Sequence, residues 1–233
     1  MKEFLNTLKL TEKVTRENFY MVLGNCIIAT VCGAIIALNI LLQWGARNHM
    51  GSQLILIFMA ITLVFIGFGL FPRDFQQALA MGKTRKYLFA GNYLLWFKNT
   101  LIVLLFAIGV CAVEELVYTR LVPESVCLLD MRPFLGNPLI FITILLCAPA
   151  LIMFLGGMIL RFGVNVFWGA VGACFLFWGF IKIKNNYPDC AVMRWLGIGG
   201  EPNVVGICTL CLVCGSVLLG IAWLSLRKQR VVI

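Results

Sequence analysis

Met81-Gly82-Lys83-Thr84 carries the Gly-Lys-Thr tail of a phosphate-binding loop, whose backbone N–H groups and lysine cradle a nucleotide in proteins that have one. The full pattern needs a glycine five positions before the Gly-Lys pair, and position 77 is Gln, with no strand-like run ahead of it. No nucleotide site is therefore expected in this chain. Cys208, Cys211 and Cys214 recur at i, i+3, i+6 in one apolar run, where soft thiolates would suit Cu(I) or Zn. Gly206, Gly215, Ser216 and Gly220 share that run, and small residues of this kind also let helices approach closely in lipid. His49 is the only histidine, so an imidazole-based zinc site lacks a second ligand. Catalytic, cofactor-binding and metal-ligating residues are all expected to be absent.

Glu114-Glu115 followed by Arg120 is similar to the paired glutamates of membrane CAAX-type proteases, which place three residues between the second Glu and the Arg. Here four intervene, Leu116 to Thr119, and the histidines that family carries in later spans are missing. These charges read better as groups capping the outer end of a helix. Cys127 and Cys190 fall in two different outer loops and could pair. Within the apolar runs, Asn39, Gln43, Thr62, Thr143 and Asn165 are the main polar groups. An ion-coupled transporter places an Asp, Glu or His at mid-membrane depth. None is found there.

The elements that must position these residues follow from composition. The 233-residue chain is 61% hydrophobic and 12% charged, with a mean hydropathy of +0.97. Soluble domains carry roughly 25% charged residues, because they must cover themselves with polar surface. An all-α polytopic membrane bundle is expected, since a span takes about 20 mostly apolar residues. Six runs qualify, at 21–42, 54–71, 93–113, 139–160, 164–181 and 204–226. The fourth and fifth are split only by Arg161, Phe162 and Gly163, which reads as a tight helical hairpin. Residues 1–20 interleave Phe4, Leu5, Leu8, Val14, Phe19 and Tyr20 with Lys, Glu and Arg, as an amphipathic helix lying along a membrane surface would. No cleavable signal is expected ahead of the first span. Residues 21–233 are then a single six-span domain.

Charge gives the bundle a direction. With both termini in the cytoplasm, the inner side holds thirteen of the nineteen Lys and Arg but only four of the ten acids. The whole net charge of +9 then lies inside, as the positive-inside rule requires, and nucleic acid is not needed to explain it. Membrane lipids are the expected surface partner. Lys182 and Lys184 sit close to an outer helix end, the least comfortable placement in this scheme.

The inner connection between the second and third spans is the most distinctive segment. Pro72 can end one helix or begin the next. From Asp74 to Met81 the residues favour a short helix with Phe75, Ala78 and Leu79 on one stripe, and Gly82 is a natural terminator. Lys83, Arg85 and Lys86 follow at the negative end of its dipole. The expected product is a short cytoplasmic helix parallel to the membrane, rigidly joined to two spans.

The run Asp74-Phe75 … Leu79-Ala80-Met81-Gly82-Lys83-Thr84-Arg85-Lys86 … Phe89 … Gly91 resembles the inner loop of bacterial ABC-2-type exporter permeases, where a pattern A-L-x-x-G-x-[ST]-R-K-x-x-F follows span two. The match covers about twenty residues, and the six-span layout with an amphipathic N-terminal helix agrees with it. The resemblance implies a multi-pass permease of the bacterial plasma membrane, working as a homodimer or with a second permease. ATP would be bound by a separate cytosolic subunit. It also implies a coupling helix for that ATPase, assigned to Asp74, Phe75, Gln76, Ala78, Leu79, Met81, Gly82, Lys83, Arg85 and Lys86. The rival readings are a non-transporting membrane scaffold or regulatory subunit and, less well supported by the residues, an intramembrane enzyme.

Overall fold

A computed structural model describes residues 16–82, 84–163 and 204–227, together with isolated positions 5, 6, 9, 165, 169 and 172. Among them, five helices are long and apolar enough to cross a membrane, making the chain a membrane-embedded helical bundle. In chain order the elements are α1 (Arg16–Trp44), β1 (Ala46–Asn48), α2 (Met50–Phe65), a π-helical turn (Ile66–Leu70), α3 (Phe71–Ala80), α4 (Arg85–Leu121), β2 (Val126–Leu129), α5 (Arg132–Leu135), α6 (Pro138–Phe162) and α7 (Val204–Arg227). Long apolar helices cover the positions expected for spans one to four and for the last. The expected fifth span, 164–181, and the hairpin it forms with the fourth lie outside the described residues. So does most of the expected N-terminal amphipathic helix, whose final residues, Arg16–Tyr20, belong instead to the first turn of α1.

Two boundaries differ from the sequence reading. The third span is expected at 93–113, but α4 has 37 residues, a length of about 55 Å at 1.5 Å per residue, against a hydrocarbon core of about 30 Å. It therefore extends beyond any bilayer at one or both ends, and it carries Glu114 and Glu115 to one end of the bundle. The second span does not stop at Phe71. Helix runs unbroken from Met50 to Ala80, and Pro72 lies inside it. The π turn just ahead of Pro72 explains why. A proline in a regular helix clashes with the carbonyl four residues back and removes a donor. After the wider turn, in which the Phe71 N–H reaches back to Ile66, Pro72 stands at the start of α3 and the shifted hydrogen-bond register accommodates its ring and missing N–H. Residues 74–80 thus continue a span rather than forming a separate helix.

Packing follows the small residues. α1 lies on α2 where Gly33 faces Gly51: a Cβ on Gly33 would sit 2.3 Å from the Gly51 Cα. α7 lies chiefly on α6, where Gly215 admits Cys147 and Gly157 faces Ala222. α4 runs through the middle, touching α1, α2, α6 and α7. Trp96, Phe75, Ile66, Leu88, Leu104, Ile152, Met153 and Leu226 are fully buried between these helices. Ile27, Ile28, Val31, Ile35 and Leu38 of α1 stay exposed, the surface a lipid-facing helix presents.

Among the described residues, the departure from an all-α chain occurs at the end where α1 leads into α2. There β1 pairs in parallel with β2, Ala46 beside Val126 and Arg47 beside Cys127, with an irregularity before Asn48. Parallel pairing needs a long connection. α2, α3 and α4 supply it.

Candidate functional site

The stripe expected on residues 74–82 is present. Phe71, Phe75, Ala78 and Leu79 are buried on one face of α3, and Phe71 stacks on Phe75 with ring centres 5.7 Å apart. The face packs into its own bundle: Phe71 fills the notch left by Gly156 of α6, where any Cβ would overlap its ring. Asp74 stands in the first turn of α3 and is half-buried. Arg73, Gln77, Ala80 and Met81 are exposed, and Gln76 is half-buried.

Gly82 ends the segment in the left-handed region at φ +76°, with its N–H on the Leu79 carbonyl at 2.9 Å and the Met81 N–H on Gln77 at 3.1 Å. A side chain there would be strained, which is why glycine is the residue. Lys83 lies outside the described residues. Thr84 takes an extended conformation and α4 starts at Arg85. The Arg85 guanidinium donates to the Arg227 carbonyl at the end of α7 (3.4 Å), and Phe89 meets Trp223 edge-on at 5.1 Å. Lys86 is exposed. The assigned residues thus divide: Phe75, Ala78 and Leu79 anchor the segment, Arg85 ties α4 to α7, and Met81, Gly82 and Lys86 face outward.

At the opposite end is a polar cap that the sequence reading did not assemble. Glu114 projects from α4 onto the N-terminus of α2. It accepts the Gly51 N–H at 2.5 Å, the Ser52 hydroxyl at 2.9 Å and the Ser52 N–H at 3.3 Å. It is the anionic cap that His49, the residue before the helix, does not supply through its own side chain. Gly51 makes this possible, since a Cβ there would lie 2.7 Å from the Glu114 carboxylate. Of the charged pair at 114–115, Glu114 caps a helix, though not its own, while Glu115 is held by His49 and Arg132.

His49 is fully buried beside it. Its Nδ1 accepts the Met131 N–H at 3.2 Å, so the neutral ring carries its proton on Nε2 and donates to Glu115 at 3.2 Å. Glu115 also receives Arg132 at 2.9 Å, with Arg47 at 3.8 Å. Arg132 forks onto Asp130, Nε to Oδ1 at 2.9 Å and Nη2 to Oδ2 at 2.6 Å, a bidentate geometry. That hydrogen bonding, above all, holds the Asp130 carboxyl down at about 2 and raises the Arg132 guanidinium. The Tyr118 hydroxyl donates to the Asn48 carbonyl at 2.8 Å. His49, Glu114, Glu115, Tyr118, Asp130 and Arg132 each have a structural partner, whereas Arg47 Nε and Asn48 Oδ1 are buried without a hydrogen-bond partner. Arg120 is exposed and remains apart from the cluster.

The remaining sequence candidates are dispersed. Cys208 is buried, while Cys211 and Cys214 are exposed on α7. The Cys147 thiol donates to the Cys211 carbonyl at 3.2 Å, an interhelical contact of the packing kind. Among the described residues no three His, Cys, Asp or Glu side chains are placed to hold a metal. Cys190 lies outside the described residues, and with it any pairing to Cys127. Between α1 and the cap-side half of α4 lies an apolar groove of about 550 Å³, lined by Ala34, Ala37, Leu41, Phe106, Val110 and Val117 among others, with Glu114 and Tyr118 at one end.

Comparison with protein-family models, with curated proteins and with solved structures gave no match.

Proposed function

We propose that this chain is the permease subunit of an ATP-driven exporter of the bacterial plasma membrane, with both termini cytoplasmic and a separate ATPase bound to the segment around α3. The observation that carries the reading is the build of that segment. It continues one span without a break, is locked to α6 by Phe71 and Gly156, and turns through Gly82 into a second span tied to α7. A stiff element fused to two spans can convert rigid-body motion of a partner into tilting of the bundle. The exposed residues Arg73, Gln77, Ala80, Met81 and Lys86 are placed to meet it. The resemblance of residues 74–91 to the ABC-2 pattern and the one-sided positive charge point the same way.

Cargo would be apolar or amphiphilic. The groove along α1 and α4 falls within the roughly 300–1,000 Å³ typical of small-molecule sites and is lined by apolar side chains. Two permeases, alike or different, would pair around two ATPase copies. The test is gentle purification from the native host followed by identification of stoichiometric companions. A P-loop ATPase that is retained by wild type and lost on Lys86→Glu supports export. A chain that purifies alone and is active in lipid without nucleotide removes the proposal.

A further inference from the structure

Hydroxyls within these helices commonly return to the carbonyl one turn back. Thr30 bonds Cys26, Thr119 bonds Glu115, Thr143 bonds Leu139, Thr209 bonds Val205 and Ser216 bonds Leu212, all at 2.7–2.9 Å. In an apolar surround that bond satisfies the group without help from another helix. Thr100 does not make it. Its Oγ1 is buried without a hydrogen-bond partner, in a residue 2% exposed. One turn earlier on α4, the indole N–H of Trp96 is in the same position, in a residue 1% exposed. Indole nitrogen is a donor only, and buried Trp N–H groups ordinarily find an acceptor.

Both residues line one small void where α1, α2 and α4 meet, together with Val22, Met59, Thr62 and Asn99. The space open there to the centre of a water molecule is about 10 Å³. One water needs roughly 10–15 Å³ of such space and two to four polar partners. The void matches a single molecule in size and is too small for any larger ligand. Its polar side continues onto α1, because Thr62 Oγ1 accepts the Asn25 amide at 2.7 Å.

We infer that this void is a binding site for one ordered water, which accepts from Trp96 Nε1–H and donates to Thr100 Oγ1. Thr62 of α2 and Asn99 of α4 also line the void and are the polar groups there to take its remaining bonds. The water closes the two open groups on α4 and extends the Asn25–Thr62 contact into a polar joint of three helices. The inference concerns the bundle itself and is independent of any ATPase.

The test uses the full chain in lipid nanodiscs. A high-resolution map should show one solvent density within about 2.7–3.2 Å of both Trp96 Nε1 and Thr100 Oγ1. In the ultraviolet resonance Raman difference between wild type and Trp96→Phe, the Trp96 indole should give the signature of a hydrogen-bonded N–H. Thr100→Val should move that signature toward a free N–H, and Thr100→Ser should keep it. A free indole N–H in wild type overturns the inference. So does a map in which the two groups close on protein atoms with no solvent between them. If the variants fail to fold, the wild-type map decides.

Discussion

Glu114→Ala should be among the most damaging single substitutions at the cap. The carboxylate takes three donors from the first turn of α2, two of them at 2.5 and 2.9 Å and the third at 3.3 Å. A hydrogen bond to a charged group contributes about 1.5–3 kcal/mol, and the weak third adds little. A capping anion at a helix N-terminus contributes about 1 kcal/mol by itself, but much of that is the same interaction counted differently. Removing the side chain should therefore cost about 2–4 kcal/mol. Glu114→Gln keeps one acceptor and should cost roughly half as much. The assay is reversible unfolding in mixed micelles, with the population of folded chain followed by far-ultraviolet circular dichroism or by tryptophan fluorescence. Exposed Glu124→Ala is the control, expected within about 0.5 kcal/mol of wild type. If Glu114→Ala is as silent as the control, the capping account of Glu114 is wrong.

Other substitutions probe the packing and the ion pairs. Gly33→Ala must push α1 from α2, because its Cβ would meet the Gly51 backbone at 2.3 Å; it should cost about 1–3 kcal/mol, whereas Gly24→Ala, with open space, should be nearly neutral in the same unfolding assay. Gly156→Ala displaces the Phe71 ring and should loosen α3 against α6, seen as faster amide exchange over residues 71–80 with little change in α7. Asp130 is held at about 2 by Arg132, below its ordinary value, so its contribution to stability is complete above about pH 4 and is lost as pH falls toward 2. Asp130→Asn should flatten that part of the acid titration.

Much of the architecture was legible because lipid imposes a simple requirement. Apolar length located α1, α6 and α7 within a few residues, as every span must exceed the same thickness. The stripe of Phe75, Ala78 and Leu79 and the terminating role of Gly82 also follow from local chemistry alone. Pro72 was harder. Its effect depends on the turn before it, and nothing in Ile66–Leu70 as a string of residues announces a π turn. The cap was invisible for a different reason. His49, Glu115 and Asp130 are brought together by α2–α4 and by the pairing of β1 with β2, so their relation is carried by the fold and not by spacing. Gly51-Ser52, one residue beyond His49, is the local sign, a helix start with small residues that leave room for an external carboxylate. The close approach of Gly33 to Gly51 is likewise a meeting of two helices that neither sequence specifies by itself.

The central claim is that the outward face of α3 and the turn after it dock an ATPase. Site-specific photo-crosslinking in native membranes tests it most directly, with the reactive side chain placed in turn at exposed Gln77, buried Ala78 and, on the cap, exposed Leu128. Capture of a P-loop ATPase from position 77, with none from 78 or 128, is the predicted result. Equal capture from position 128, or no ATPase from 77 while the bundle remains folded, would contradict it.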